Sequence, residues 1–328
     1  MAAARRDAEE NTGVSASQAA GPPVLAVVGP TASGKSALAL QLAEALKGRI
    51  VNADALQIYR ELPLLTAQPD AGSKARAPHR LYGIRAAEDP ASAGLWCTLA
   101  AAEIAAARSA GQRPILTGGS GLYLKALSRG LAPVPPLPPA VREETDALLA
   151  REGPEALHAR LALEDPETAQ RIGPGDRQRI ARAWSVLRAT GRPLAAWQRQ
   201  GSPGMPLRWL LLLPDREWLR AQVARRFEIM LEAGALEEVR ALAARSPDPA
   251  LPALKAVGYR QLTAVLAGDL SLGQAKQQAI AATRRYVKRQ TTWLRHQVIA
   301  AERDVALWHT HYSYDLGGKI VAYLQEIP

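Results

Sequence analysis

Cysteine is nearly absent, with Cys97 the only one in 328 residues. A single thiol excludes a disulfide framework and any zinc site built from cysteines, and it suits a reducing cytoplasm. Long apolar runs are missing as well. No stretch reaches the roughly 18 apolar residues of a membrane-spanning helix, so a soluble protein is expected. Residues 1–22 have no apolar core and mix Arg5, Arg6, Asp7, Glu9 and Glu10 with small polar residues. They read as a disordered tail, because a signal peptide needs an apolar segment. Acidic residues are outnumbered, 31 against 41 Lys and Arg, for a formal net charge of +10. That balance favours an anionic partner such as nucleic acid. With 48% hydrophobic residues the chain can bury a full core. Its length exceeds one usual domain, so an insertion or a second domain is expected.

The strongest positive signal is Gly29 to Ser36, GPTASGKS, preceded by the apolar run Val24 to Val28 and followed by the helical pattern Ala37 to Ala43. A buried strand, a Gly-rich turn and a helix are the setting in which G-x-x-x-x-G-K-[ST] cradles phosphate. Gly29 and Gly34 allow close backbone approach, so the N–H groups of residues 31 to 36 can converge on phosphate oxygens at a helix N-terminus. Lys35 adds a point charge, and the Ser36 hydroxyl is placed to reach Mg²⁺. The motif alone does not say which di- or triphosphate binds.

A second strand is expected over Arg49 to Ala53, with Asp54 at its carboxyl edge. In open α/β sheets ligands collect outside those ends, so Asp54 is placed to face the P-loop. The alternative for Asp54 is an N-cap for the next turn. A third strand is expected at Arg80 to Ile84, a helix at Glu103 to Ala110, and a fourth strand at Arg113 to Thr117 running into Gly118-Gly119-Ser120-Gly121. That fourth strand lacks the Asp with which P-loop ATPases and GTPases hold Mg²⁺ and position water, so an ordinary NTPase is disfavoured. A P-loop small-molecule kinase stays open at this point, as does an RNA-binding adaptor with a vestigial P-loop.

From Pro133 to about Gly204 the character changes. A stiff Pro-rich hinge, Pro133 to Pro139, precedes helical patterns at Val141 to Ala150, Pro154 to Leu163 and Arg177 to Ala189, and Gly201-Ser202-Pro203-Gly204 closes the stretch. The strand Leu207 to Leu213 then resumes the α/β core, so the simplest reading is an all-helical insertion. Its arginines 171, 177, 179, 182, 188, 192 and 199 have few acids among them. Arg179 and Arg182 share a helix face, a like-charge spacing that phosphate would relieve. A long helix is expected at about Leu272 to Ala301, and His309, His311 and the residues after them read as a peripheral tail.

Eight blocks in order, GPTASGKS, NADALQIYR, TAQPD, APHRLYGI, RPILTGGSGLYLKAL, DRQRIARA, KAVGYRQL and ATRRYVKRQTTWLR, resemble the bacterial tRNA dimethylallyltransferases, or tRNA isopentenyltransferases, from about Val24 to Arg295. The resemblance implies a P-loop NTPase-like three-layer α/β core with a mostly parallel sheet, plus a helical insertion at 133–204 that grips the tRNA anticodon stem-loop. It implies transfer of a dimethylallyl group from dimethylallyl diphosphate to the exocyclic amine of the adenosine 3′ of the anticodon, without ATP consumption. A free-nucleotide isopentenyltransferase is the nearer rival and would lack the basic insertion.

Carried onto this chain, the resemblance makes Asp54 the general base and Arg226, rather than the solvated Arg225, a diphosphate ligand beside Lys35. Gly29, Thr31, Ala32, Ser33, Gly34, Lys35 and Ser36 hold the diphosphate, with Mg²⁺ on Ser36. Ser120 stands where the family has threonine and touches both diphosphate and nucleotide. Contacts to tRNA fall on Asp54, Ala55, Leu56 and Gln57, on Ser120 and Arg142, on Gln178, Arg179, Ile180, Ala181 and Arg182, and on Lys255, Ala256, Val257, Gly258, Tyr259 and Arg260. Tyr259 stacks on a base or packs at a helix N-terminus. Two departures stand out: Ala55 replaces the family serine, and Leu81-Tyr82-Gly83-Ile84 replaces Leu-Ile-Asp-Ile. A cytoplasmic monomer is expected.

Overall fold

A strand covered on both faces has no polar side to show, and β1 (Val24–Val28) is apolar and fully buried along its length. The computed structural model describes residues 23–299, 301–302 and 304–326. The tail expected at 1–22 lies outside them. From β1 the chain runs through α1 (Lys35–Ala45), β2 (Gly48–Asn52), α2 (Pro63–Thr66), α3 (Ala71–Arg76), β3 (His79–Arg80), α4 (Ala93–Ser109), β4 (Arg113–Gly118) and α5 (Gly121–Arg129). Four helices follow without a strand: α6 (Pro139–Glu164), α7 (Pro166–Gln170), α8 (Arg177–Thr190) and α9 (Leu194–Gln200). The chain returns as β5 (Leu207–Leu212), α10 (Arg216–Glu232), α11 (Ala235–Ala243), a 3₁₀ turn at Pro252–Lys255, α12 (Tyr259–Leu266) and α13 (Leu272–Leu294). A π turn at Arg295–Ile299 precedes β6 (Val305–Trp308) and α14 (Tyr314–Glu326).

All six strands pair in parallel, in the order β3-β2-β4-β1-β5-β6. Alternate residues of β1 divide between two cores: Val24, Ala26 and Val28 join Trp96, Ile104 and Leu211 on one face, and Leu25 and Val27 join Leu38, Leu42 and Ile320 on the other. Helices therefore cover both faces, which gives three layers. Because β4 lies between β2 and β1, the carboxyl ends of all three strands stand side by side. No helix among the described residues is long and apolar enough to cross a membrane.

Two expectations are corrected. The third strand, expected at Arg80 to Ile84, is reduced to His79–Arg80, because Leu81 and Gly83 adopt left-handed backbone conformations (φ 64° and 59°) that end the extended run. The Leu81 carbonyl accepts a hydrogen bond from Asn52 Nδ2 (3.0 Å) in place of a strand partner. The peripheral tail is part of the core: β6 pairs with β5, and Ile320 and Leu324 of α14 are buried against α1.

Between α5 and β5 the helices have a core of their own, built around Leu149, Leu157, Leu161, Ile180 and Trp184. The break expected between two helices near residue 150 occurs inside α6 at Gly153 (φ 81°), just before Pro154. Thr145 and Ser185, both buried, hydrogen-bond across α6 and α8 (3.0 Å) and fix their register. The ingoing and outgoing segments touch: Ser202 Oγ donates to the Leu131 carbonyl (2.6 Å) and the Met205 N–H to the Leu127 carbonyl (2.8 Å).

Candidate active site

The P-loop is hydrogen-bonded to its own backbone and to α13. The Ser33 N–H donates to the Pro30 carbonyl (3.1 Å) and the Thr31 N–H to Gln290 Oε1 (2.9 Å). Those two N–H groups, assigned above to the diphosphate, are therefore occupied within the protein. What remains is the N-terminus of α1, whose cap position is Gly34 in a left-handed conformation (φ 89°) with no side chain to cap the helix. The first N–H groups of a helix have no intrahelical acceptor, so an uncapped end presents them, with the positive end of the helix dipole, to an anion. Ala32, Gly34, Lys35 and Ser36 line a cleft of 360 Å³ whose opposite wall is Gln222, Arg225, Arg226 and Ile229 of α10. Arg226 faces inward, and Arg225, although exposed, reaches the same cleft.

Asp54 follows β2 and is held by its neighbours on both sides. Its N–H donates to Asn52 Oδ1 (2.8 Å), and its Oδ1 accepts from the Leu56 N–H (2.9 Å), so the capping role is real. Oδ2 has no hydrogen-bond donor among the described residues, and the carboxylate acts electrostatically on both Lys35 and Arg226. Beneath the strand end, Trp96 donates its Nε1–H to the Asn52 carbonyl (2.7 Å) and stacks on Tyr123 at 4.7 Å. Such aromatic pairs contribute about 0.5–1.5 kcal/mol beyond their buried area, and here they stiffen the support of Asp54.

Ser120 bridges the neighbouring strand end. Its Oγ accepts from the Ala55 N–H (2.8 Å) and its own N–H donates to the Ala53 carbonyl (3.2 Å). The hydroxyl, without the threonine methyl, ties the end of β4 to the residue after Asp54. A Cβ at Gly118 would lie 2.2 Å from the Ala53 backbone, which leaves no room for a side chain there, and one at Gly119 would lie 2.2 Å from Gln290 Nε2 and push that amide off its contacts.

Gln290 was not among the expected site residues. It is buried on α13, donates to the Gly119 carbonyl (3.2 Å) and accepts from both the N–H and the hydroxyl of Thr31 (2.9 and 3.1 Å), thereby fastening the P-loop to the end of β4. Its signal was legible: it shares the inward face of α13 with Ala275, Ala279 and Leu294, a lone polar residue on an apolar stripe. Tyr286, one turn earlier, directs its hydroxyl toward Ser120 and Gln290, and burial, then the Asp54 charge, raises its pKa.

Burial, and next the Arg226 guanidinium, lower the pKa of Lys35 from 10.5 to about 8, with Asp54 opposing. Raising the pH through about 8 is expected to discharge Lys35 and weaken inorganic diphosphate binding, as titration calorimetry without tRNA would read. Stability moves the other way. The unfolded chain keeps this proton up to about 10.5, so the cost of burying the charge is present below about 8 and is relieved between those values.

A family model described as IPP transferase matches residues 57–297. The chain belongs to the IPP transferase family. Among its relatives in that family, a protein of Rhodospirillum centenum named tRNA dimethylallyltransferase is 56% identical over 285 residues, covering 86% of this chain and 91% of the relative. One of Parvibaculum lavamentivorans with the same name is 49% identical over 306 residues, covering 92% and 95%. The fold of this chain matches the crystal structure of the tRNA isopentenylpyrophosphate transferase of Bacillus halodurans with a TM-score of 0.65 at 28% identity, covering 92% and 95%. A eukaryotic dimethylallyltransferase, described as acting on tRNA, matches with a TM-score of 0.79 at 22% identity, covering 93% of this chain and 80% of that one, which shows the shared fold.

The residues expected to contact tRNA divide by burial. Arg142, Gln178, Arg179, Arg182, Lys255 and Arg260 are exposed, and Ala55, Leu56, Gln57, Ala181 and Val257 are partly so. Ile180, Ala256, Gly258 and Tyr259 are buried. Ile180 belongs to the helical core, and Tyr259 packs in the main core at the start of α12, where it cannot stack on a base. The arginine cluster is also less free than its sequence suggests. Arg171 and Arg199 pair with Glu167, Arg188 pairs with Glu164, and Arg192 lies over the Trp197 ring at 4.5 Å. Arg182 differs: desolvation, and next the Arg142 guanidinium, lower its pKa, and neither arginine has a carboxylate partner among the described residues.

Proposed function

We propose that this protein transfers the dimethylallyl group of dimethylallyl diphosphate to the exocyclic amine of the adenosine 3′-adjacent to the tRNA anticodon, in the cytoplasm. The observation that carries the reading is a cleft between the uncapped N-terminus of α1 and Arg226, with the Asp54 carboxylate acting electrostatically on both Lys35 and Arg226, while β4 ends in Thr117-Gly118 where a hydrolysing P-loop enzyme needs an acid. In the reaction the C1–O bond of the allyl diphosphate breaks, the bond from C1 to the adenine nitrogen forms, and a proton leaves that nitrogen. The departing diphosphate gains negative charge, which the α1 N-terminus, Lys35 and Arg226 stabilise more strongly than they stabilise the bound donor. Asp54 takes the proton through the oxygen left without a donor, and the Leu56 N–H holds the other oxygen in place.

Mg²⁺ fits the donor set. Ser36 is an exposed hydroxyl in the first turn of α1 at the edge of the cleft, and a hard cation held by one hydroxyl and diphosphate oxygens is a usual Mg²⁺ arrangement. When bound, it would help neutralise the leaving diphosphate. On the RNA side, Arg142 and Arg182, brought together by the Thr145–Ser185 register, form an uncompensated like-charge pair suited to a phosphate of the anticodon arm.

The test is transfer of label from dimethylallyl diphosphate to tRNA by the purified protein with no ATP present, and inhibition by inorganic diphosphate. ATP-dependent turnover with stoichiometric ADP would replace this reading by a kinase. Equal activity on free AMP would replace it by a free-nucleotide transferase.

A further inference from the structure

The segment after β6 reaches the phosphate cleft from behind and holds both of its walls. Tyr312 sits on the P-loop: its N–H donates to the Ser33 carbonyl (3.3 Å), and its Cβ lies 2.5 Å from where a Cβ on Gly34 would stand. Its hydroxyl donates to Gln41 Oε1 on α1 (2.9 Å), and Gln41 Nε2 donates to the Tyr314 carbonyl (3.1 Å). The adjacent His311 faces the other wall, its ring stacked on Trp218 of α10 at 4.4 Å and 12°. Trp218, Gln222 and Arg226 are spaced by four residues and share one face of α10, so the stacked ring anchors the face that lines the cleft.

We propose that His311 and Tyr312 are positioning residues for the donor diphosphate, a two-residue strap that sets the separation between the α1 N-terminus and Arg226. The inference rests on the donor reading above. The two walls carry like charge: the Arg226 guanidinium acts repulsively on Lys35, and the Asp54 carboxylate opposes this without a hydrogen bond or ion pair to either among the described residues, so the strap supplies the fixed contact between the walls that these charges do not. Donors held apart at the right distance before binding cost no reorganisation when the anion arrives. Tyr312 also accounts for Gly34 by contact as well as by conformation, since a side chain there would displace the strap.

The test uses the full chain and three variants, with inorganic diphosphate as the binding probe alongside steady-state transfer to tRNA. His311→Ala, an exposed position whose loss leaves the core intact, is expected to raise the Kd of diphosphate and the KM of dimethylallyl diphosphate by about tenfold, with tRNA affinity unchanged. His311→Phe keeps a ring on Trp218 and is expected to restore both constants. Tyr312→Ala is expected to match His311→Ala, and the double variant to cost little more than either alone, since cutting one strap at two points is not additive. Diphosphate binding equal to wild type in His311→Ala and Tyr312→Ala overturns the strap. So does a parallel loss of donor and tRNA affinity, which marks general loosening. Failure of the unmodified protein to bind diphosphate would instead sink the donor reading, and the strap with it.

Discussion

Asp54→Asn is expected to lower turnover by about 100- to 10,000-fold while the protein still binds diphosphate and tRNA. The substitution is nearly isosteric. An asparagine Oδ1 can accept the Leu56 N–H as Asp54 does, so the loop from β2 keeps its shape, and Ser120 keeps its contact with the Ala55 N–H. What disappears is the proton acceptor. A secondary effect has a definite sign: the Asp54 charge now raises the pKa of Lys35, so the variant should show the pH-dependent loss of diphosphate affinity at lower pH than wild type. Single-turnover transfer rates and calorimetric titrations read the two effects separately. Turnover within a few-fold of wild type would remove Asp54 from the base role.

Excising the helical insertion is the second large effect expected. Because Ser202 is hydrogen-bonded to Leu131 and Met205 to Leu127, the two ends of the insertion already lie together, and a short Gly/Ser link in place of residues 132–201 need not strain the core. The excised helices take their own cluster of Leu149, Leu157, Leu161, Ile180 and Trp184 with them, so little main-core surface is uncovered. The shortened protein should fold and bind inorganic diphosphate like the full chain, while tRNA modification falls to background. tRNA affinity should also lose salt dependence, since each phosphate contact contributes about 0.9 to the slope of log affinity against log salt on duplex nucleic acid. Arg142→Ala with Arg182→Ala is the milder form, expected to weaken tRNA binding at unchanged diphosphate affinity. Normal tRNA modification by the folded deletion protein would mean that the insertion does not grip the anticodon arm.

Local patterns were legible where one physical cause acts alone. The apolar run of β1 requires burial on both faces, the P-loop composition requires a turn that admits anions, and Gly153-Pro154 breaks a helix regardless of its surroundings. The apolar letters from Arg80 to Ile84 point to a strand, but the left-handed turns at Leu81 and Gly83 and a side-chain donor, Asn52, from another strand end it after Arg80. Tyr259 was ambiguous because an aromatic beside a glycine suits a base or a core equally well. The proximity of Leu65 and Phe227 to Gly258 decided for the core.

The sequence by itself determined the Gly-rich turn between β1 and α1, the carboxylate at the end of β2, the missing acid at the end of β4 and the interruption of the α/β core by helices. Each is a short-range pattern whose meaning is carried by backbone conformation or by the chemistry of one side chain. Only the tertiary structure decided which P-loop N–H groups remain free, that Gln290 ties Thr31 to Gly119 across 259 and 171 residues, and that Arg142 meets Arg182 without a counter-charge. It also turned the C-terminal segment from a tail into a sheet strand and a strap on Gly34. Those outcomes depend on strand order and helix register, which bring together residues far apart in the chain, and no local pattern names the partner that each residue meets.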